Sequence, residues 1–298
     1  MEETKNVLSF AKLRASFGLN GNVNKDWVGN YTVQGSYGTT TNYNGAIALG
    51  LGSIPNPYLK WEKSRTTEVG LDLGFLDNRI TANLGYYTRL TSDKYASITV
   101  PSTSGVSSIT SNNGEYQNQG FEFELGVRAI DTKDWKWNIN WNGAVANSKV
   151  VSLPYNGLDN NRQSAYQVYN GNGNELVWVG GYQEGQKPGD IYMFIADGIY
   201  RSENEIPSGL IDLTSGNNGS SGRPLYGGAE GYNKLTDTQK ANALKIEPGD
   251  VKWKDVNGDG VIDNYDRVKV GNLRPKFTGG FNTNVSWKDL SLSARFDY

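Results

Sequence analysis

The sequence predicts an all-β chain: an antiparallel transmembrane β-barrel segment, with short turns at one end and long extracellular loops at the other. Three observations predict it. Apolar and polar residues alternate in repeated runs of about 9–12 residues, the length a tilted strand needs to cross a bilayer. Those runs are joined alternately by very short and very long connections. Composition agrees, because Gly (37), Tyr (18) and Trp (8) are abundant and Met (2) is scarce among 298 residues. Glycines and aromatics suit tight turns, pleated strands and interfacial girdles.

The elements follow in order. A first strand is expected around Leu13, Ala15, Phe17 and Leu19. Val69, Leu71, Leu73 and Phe75 alternate with Glu68, Gly70, Asp72 and Gly74, and after Asp77-Asn78 the pattern resumes at Ile80, Ala82, Leu84 and Tyr86. Two alternating runs across a turn-forming pair make a hairpin. The unit recurs as Phe121, Phe123, Leu125, Val127 and Ala129, then Trp135, Trp137, Ile139 and Trp141 beyond the turn at 131–134. It recurs again as Phe277, Phe281, Val285 and Trp287, then Leu290, Leu292, Ala294, Phe296 and Tyr298 beyond Lys288-Asp289. That makes about seven strands, an odd number, whereas single-chain bacterial barrels normally close on an even one. The chain is therefore expected to be part of a barrel, 1–298 in all, with polar stretches at 20–63, 91–118 and 148–275 as its long loops.

Other classes are excluded or disfavoured. No run of about 18 apolar residues exists, so no helical membrane span is expected. Cys and His are both absent, which removes disulfide scaffolds, Cys/His zinc sites and His-containing triads. A net charge of -2 offers no basic field for nucleic acid. Carboxylates are plentiful, but none falls in a pair placed for glycoside chemistry, so no enzyme is expected and no catalytic residue is named. A soluble β-sandwich or a surface adhesin stays open as the alternative, since one face alternates there too. Tryptophans near strand ends favour a lipid interface. The start at Met1-Glu2-Glu3-Thr4-Lys5 carries no apolar signal core, and the chain is read as a piece of something longer.

Within 148–275, Ser215–Gly222 is flexible by composition, and Thr236-Asp237-Thr238-Gln239 predicts a capped short helix through Leu244. The sharpest motif is 255–266. Asp255, Asn257 and Asp259 would give side-chain oxygens to a Ca²⁺ ion, Val261 its carbonyl, Asp263 a direct or water-borne contact, and Asp266 the closing carboxylate. Gly260 permits the sharp turn and Ile262 is expected to tuck inward. Asp in place of Glu at the twelfth position shortens the closing arm. The plainer reading is an Asp/Gly-rich loop satisfied by its own backbone and water. Trp178, Tyr192, Tyr226 and Trp253 are the loop aromatics that would stack on a sugar ring, though loop packing uses such residues as well.

Several segments resemble the C-terminal half of the SusC/RagA-type TonB-linked outer-membrane transporters of Bacteroidota. They include Leu13–Gly18 with Asn20-Gly21-Asn22, and Asn56-Pro57-Tyr58-Leu59-Lys60-Trp61-Glu62-Lys63 leading into Glu68–Asp72. Gly85-Tyr86-Tyr87 with Thr91-Ser92-Asp93, Asn113–Glu122, Pro248–Lys252 through Asp266-Arg267, and Pro275–Phe281 complete the order. The resemblance implies a 22-stranded barrel in the outer membrane, with a plug energised by TonB and a SusD-like surface lipoprotein as lid. It implies import of glycans, peptides or similar nutrients. The plug and the TonB-contacting segment are absent from this chain. A secreted or surface-exposed binding protein with a calcium-ordered loop is the competing reading.

Overall fold

The computed structural model describes residues 7–43, 45–214 and 223–298; Met1–Lys5 and the Ser215–Gly222 run lie outside the described residues. The chain divides into two compact units, one of residues 1–161, 182–188 and 274–298, the other of 162–181 and 189–273.

The first unit is an antiparallel sheet of seven strands: β1 (Leu8–Asn22), β2 (Glu62–Phe75), β3 (Ile80–Thr99), β4 (Ser108–Asp131), β5 (Trp135–Ser152), β6 (Thr278–Trp287) and β7 (Leu290–Asp297). They lie side by side in chain order, each paired with the next. Register fixes which side chains share a face. Ala11, Leu73, Ala82, Leu125, Trp141, Phe281 and Phe296 form one unbroken row across all seven strands. One residue along, Lys12, Asp72, Asn83, Glu124, Asn142, Gly280 and Asp297 form the next row, on the opposite face. A period of two along each strand thus becomes two chemically different surfaces.

Short turns close one end of this sheet, at 76–79, 132–134 and 288–289. Leu76, Asp77 and Asn78 all take positive φ, and Asp77 N donates to Ser9 Oγ at 2.7 Å. An Asp-Asn pair tolerates that left-handed conformation better than most residues. Connections at the other end are 23–61, 100–107 and 153–277.

Strand length departs from expectation. β3 has 20 residues and β4 has 24, so most of the stretch 91–118 is not loop but a continuation of the ladder beyond the apolar rows. Backbone hydrogen bonding continues there, and only the sustained alternation signal stops. A further hairpin, Ser36–Tyr43 against Ala46–Ser53, occupies part of 20–63.

The second unit is built from short pieces: Tyr166–Tyr169 with Leu176–Val179, Asp190–Met193 with Val268–Asn272, and Ala196–Ile199 with Val251–Trp253. A four-stranded patch of two-residue strands adds Ile211–Asp212, Leu225–Tyr226, Leu244–Lys245 and Val261–Ile262. Its core is Tyr200, Leu210, Ile246 and Ile262, with Phe194, Ile206, Leu225 and Trp253 packed against it. Helix α1 (Gly228–Lys234) was not expected. Helix α2 (Asp237–Lys240) carries the anticipated capping box from Thr236 and Gln239, but ends at Lys240 rather than at Leu244.

Candidate functional site

Two regions bear on function: the two faces of the seven-stranded sheet, and the acidic loop of the second unit.

On one face of the sheet, the rows from Trp135 to Val145 of β5 contain no charged side chain. Ten residues of strand, tilted as barrel strands are, span about 25 Å, the height of a barrel's lipid-facing band. Aromatics mark both margins. Trp135 and Trp287 stack at the short-turn end, and Phe123, Trp141, Phe277 and Tyr298 cluster towards the other. Thr283 lies among these rows, and its hydroxyl accepts from Trp137 Nε1 at 2.9 Å. Large apolar side chains stay open on this face, with Leu13 at 73% and Phe296 at 60% exposure. Such a contiguous surface needs an apolar medium or a partner.

The opposite face is polar. Arg14 donates two 2.9 Å hydrogen bonds to Asp72 across the β1–β2 pair and lies near Glu68. Beside them a depression of about 390 Å³ is lined by Arg14, Glu68, Asn83, Glu122, Glu124 and Asn142, with Gly85 among its lining. Gly70 and Gly85 lie in register next to each other; the missing Cβ of Gly70 makes room for the Arg14 guanidinium, and that of Gly85 leaves the depression open. This is a hydrated surface by composition, and among the described residues it carries no apolar cluster that a soluble sandwich would bury.

In the second unit the candidate calcium residues are consecutive turns of one loop. Asp255 accepts from Gly258 N (2.7 Å) and Gly260 N (2.8 Å), and Asp259 accepts from Val261 N (2.7 Å). Asn257 accepts from Asp259 N and donates to Asn174 Oδ1 at 2.6 Å. Asp263 accepts from Tyr265 N, and Asp266 from Val256 N and Asp263 N. Gly258 and Gly260 both take positive φ, which suits glycine there. Val261 pairs with Ile211, and Ile262 is only 2% exposed, inside the core.

Asp266 is fully buried. Burial pushes its carboxyl up to about 6, against the pull of two backbone N–H donors, with Asp263 and Asp255 adding repulsion. Burial likewise raises Asp263, and Asp259 and Asp255 add to it. Hard oxygens in this order are the right donor chemistry for calcium. Yet among the described residues no three Asp or Glu side chains come together as a metal-holding group. Each acid is instead an acceptor for its own loop's backbone, the plainer of the two arrangements.

The four candidate stacking aromatics are not brought to one place. Trp178 stands exposed on its hairpin, Tyr192 packs edge-on against Tyr166, and Tyr226 lies against Tyr232. Trp253 packs on Phe194 at the edge of the core. An open cavity of this unit, about 440 Å³, is lined by other residues, chiefly Tyr166, Asn264, Tyr265 and Arg267. The Arg267 guanidinium lies over both the Tyr166 and the Phe194 rings. Sequence reasoning missed this set because Tyr166 is about 100 residues from Asn264, Tyr265 and Arg267, and only the position of Arg267 just after the acidic loop pointed towards it.

Comparisons with known proteins agree with the sheet. Residues 9–297 match the family model for the TonB dependent receptor-like β-barrel. A curated relative, TonB-dependent receptor P3 of Formosa agariphila, is 28% identical over 297 residues, covering 98% of this chain and 26% of that protein. TonB-dependent receptor SusC of Bacteroides thetaiotaomicron is 33% identical over 153 residues, half of this chain and 15% of that protein. Among solved structures, the RagAB peptide importer in its open-open state superposes with a TM-score of 0.62 at 24% identity, over 98% of this chain and 26% of that one. The chain thus spans about a quarter of the length of the curated relatives that it matches over nearly all of its own residues.

Proposed function

Because this chain belongs to the TonB-dependent receptor-like β-barrel family, we propose that it supplies part of the wall of an outer-membrane importer for glycans, peptides or similar nutrients. One observation carries the reading: a seven-stranded sheet with a charge-free apolar face about 25 Å tall, backed by a polar face. The apolar face meets lipid, and the polar face lines the barrel interior. The fold likeness to a peptide importer and the sequence likeness to SusC support import as the activity of the whole protein. In this reading TonB acts through residues outside this chain, and a SusD-like lipoprotein covers the long-loop end. A secreted binding protein explains the charge-free face less well, because secretion leaves it in water.

The acidic loop enters the proposal as a Ca²⁺ site that would stiffen the second unit. Asp255, Asn257, Asp259, Asp263 and Asp266 would hold the ion with the Val261 carbonyl. The buried Asp266 carboxyl and the half-buried Asp263 beside it, each raised by burial and by neighbouring carboxylates, support that reading, and their present use as backbone acceptors leaves each oxygen a further lone pair.

The test is to purify the full-length parent from outer membranes in mild detergent, and to measure uptake of labelled oligosaccharides and oligopeptides by cells with and without its gene. Gene-dependent uptake that also requires TonB, with a lipoprotein co-purifying, supports the proposal. Uptake that is unchanged without the gene for every substrate offered removes it.

A further inference from the structure

We propose that Arg65 and Lys149 form a docking surface for anionic lipid headgroups, just above the apolar face of the sheet. The inference rests on the membrane reading above and adds a specific lipid partner to it. The row after Val69, Tyr86, Phe121 and Val145 is already polar, with Thr67, Thr88, Gln119 and Asn147. The next row on the same face is Leu19, Arg65, Leu90, Gln117 and Lys149. Arg65 and Lys149 are the first charged side chains met on leaving the apolar rows at the long-loop end. Both are exposed, and neither belongs to any ion pair among the described residues.

Position makes the charge matter. The two cations lie about 13 Å along their strands from the last apolar row, which is headgroup depth for a tilted wall. Three strand spacings separate them, roughly 14 Å. Leu90 and Gln117 lie between them, leaving a strip with a cation at each end and no charge in the middle. Long cationic side chains at that level lay their stems on apolar surface and reach phosphate with their heads. The guanidinium adds a planar fork that fits two phosphate oxygens.

Neighbouring acids do not cancel the effect. Asp93 is taken by Lys63 at 3.0 Å, and Glu115, one row further from the apolar face, pairs with neither Arg65 nor Lys149. The short-turn end differs. There Asp131, Lys133, Asp134, Lys136, Lys288 and Asp289 mix both signs, Arg128 pairs with Asp131, and Lys288 lies over the Trp287 ring. A one-signed pair thus exists at one margin only.

The test uses native mass spectrometry of the full-length parent in detergent, titrated with an equimolar mixture of phosphatidylglycerol and phosphatidylcholine. Wild-type protein should retain phosphatidylglycerol preferentially, and R65Q/K149Q should lower that preference at least threefold. R65K/K149R should keep most of it, and K133Q/K288Q at the opposite margin should leave it unchanged. Heat-modifiable migration of each variant establishes that the barrel has assembled. An assembled R65Q/K149Q protein with wild-type preference would overturn the headgroup site while leaving the importer reading intact. A wild-type protein that never enters the membrane would overturn both.

Discussion

Trp135 and Trp287 stack across neighbouring strands with ring centroids 5.8 Å apart, beside the turns at 132–134 and 288–289. The pair belongs to the charge-free face and marks its lower margin, where an indole meets both apolar chains and headgroups. Replacing Trp135 by Ala removes the ring contact, worth about 0.5–1.5 kcal/mol beyond the area lost. The expected result is a lower urea midpoint for the parent barrel in micelles, with an unchanged m-value.

Glycine spacing on the two faces gives a second expectation. A Cβ on Gly143 would lie 2.6 Å from a Phe123 ring carbon and 2.7 Å from one of Phe277, whereas a Cβ on Gly85 meets nothing within 4 Å. Gly143→Ala must push both rings apart and should cost about 1–3 kcal/mol, the usual range for overpacking. Gly85→Ala should stay within about 0.5 kcal/mol of wild type. Equilibrium unfolding of both variants checks the contrast.

The same contrast shows what the sequence made legible. Alternation at 69–75, 80–86, 121–129, 135–141, 277–287 and 290–298 placed the strands, because burial on one side imposes a period of two. Beyond the apolar rows β3 and β4 continue through largely polar sequence, with Tyr95 and Ala96 buried but no sustained period of two, so 91–118 looked like loop. Residues 36–53 and helix α1 escaped for a related reason. Short elements depend on tertiary contacts more than on propensity. In the acidic loop the order of oxygen-bearing residues was readable from spacing, and so was the alternative of a loop satisfied by its own backbone; which N–H groups Asp255 and Asp266 accept from was not.

Asp212 gives the second unit a pH dependence. Burial pushes its carboxyl above the ordinary aspartate value, against the 2.7 Å hydrogen bond from Thr214 N. A raised folded pKa means the folded state holds the proton more tightly. The resulting stabilisation is complete below the ordinary aspartate pKa and lost as pH climbs through the raised one. Thermal unfolding of the unit, followed by the fluorescence of Trp178 and Trp253, should therefore shift upward as pH falls through that window. Asp212→Asn should remove this residue's share of the dependence and leave the share that the raised Asp263 and Asp266 carboxyls contribute.

Calcium should stabilise the second unit if the acidic loop takes the ion. At about ten times its dissociation constant, Ca²⁺ adds about 1.4 kcal/mol, and chelation reverses it. Asp255→Asn combined with Asp259→Asn should abolish the response. A wild-type melting curve indifferent to millimolar Ca²⁺ would leave the loop as a self-satisfied turn.

Ile139 and Asn140 are neighbours on β5 that face opposite sides, one in the charge-free rows and one in the polar rows. The most direct measurement places arginine at each in turn, in the full-length parent, and compares the amount of heat-modifiable barrel recovered from outer membranes. Arginine near the middle of a lipid-facing wall costs about 2–4 kcal/mol, and arginine in a wet interior costs little. The account predicts that I139R loses most of the assembled protein while N140R assembles like wild type. Equal recovery of the two, or greater loss in N140R, would contradict the assignment of these faces to lipid and lumen.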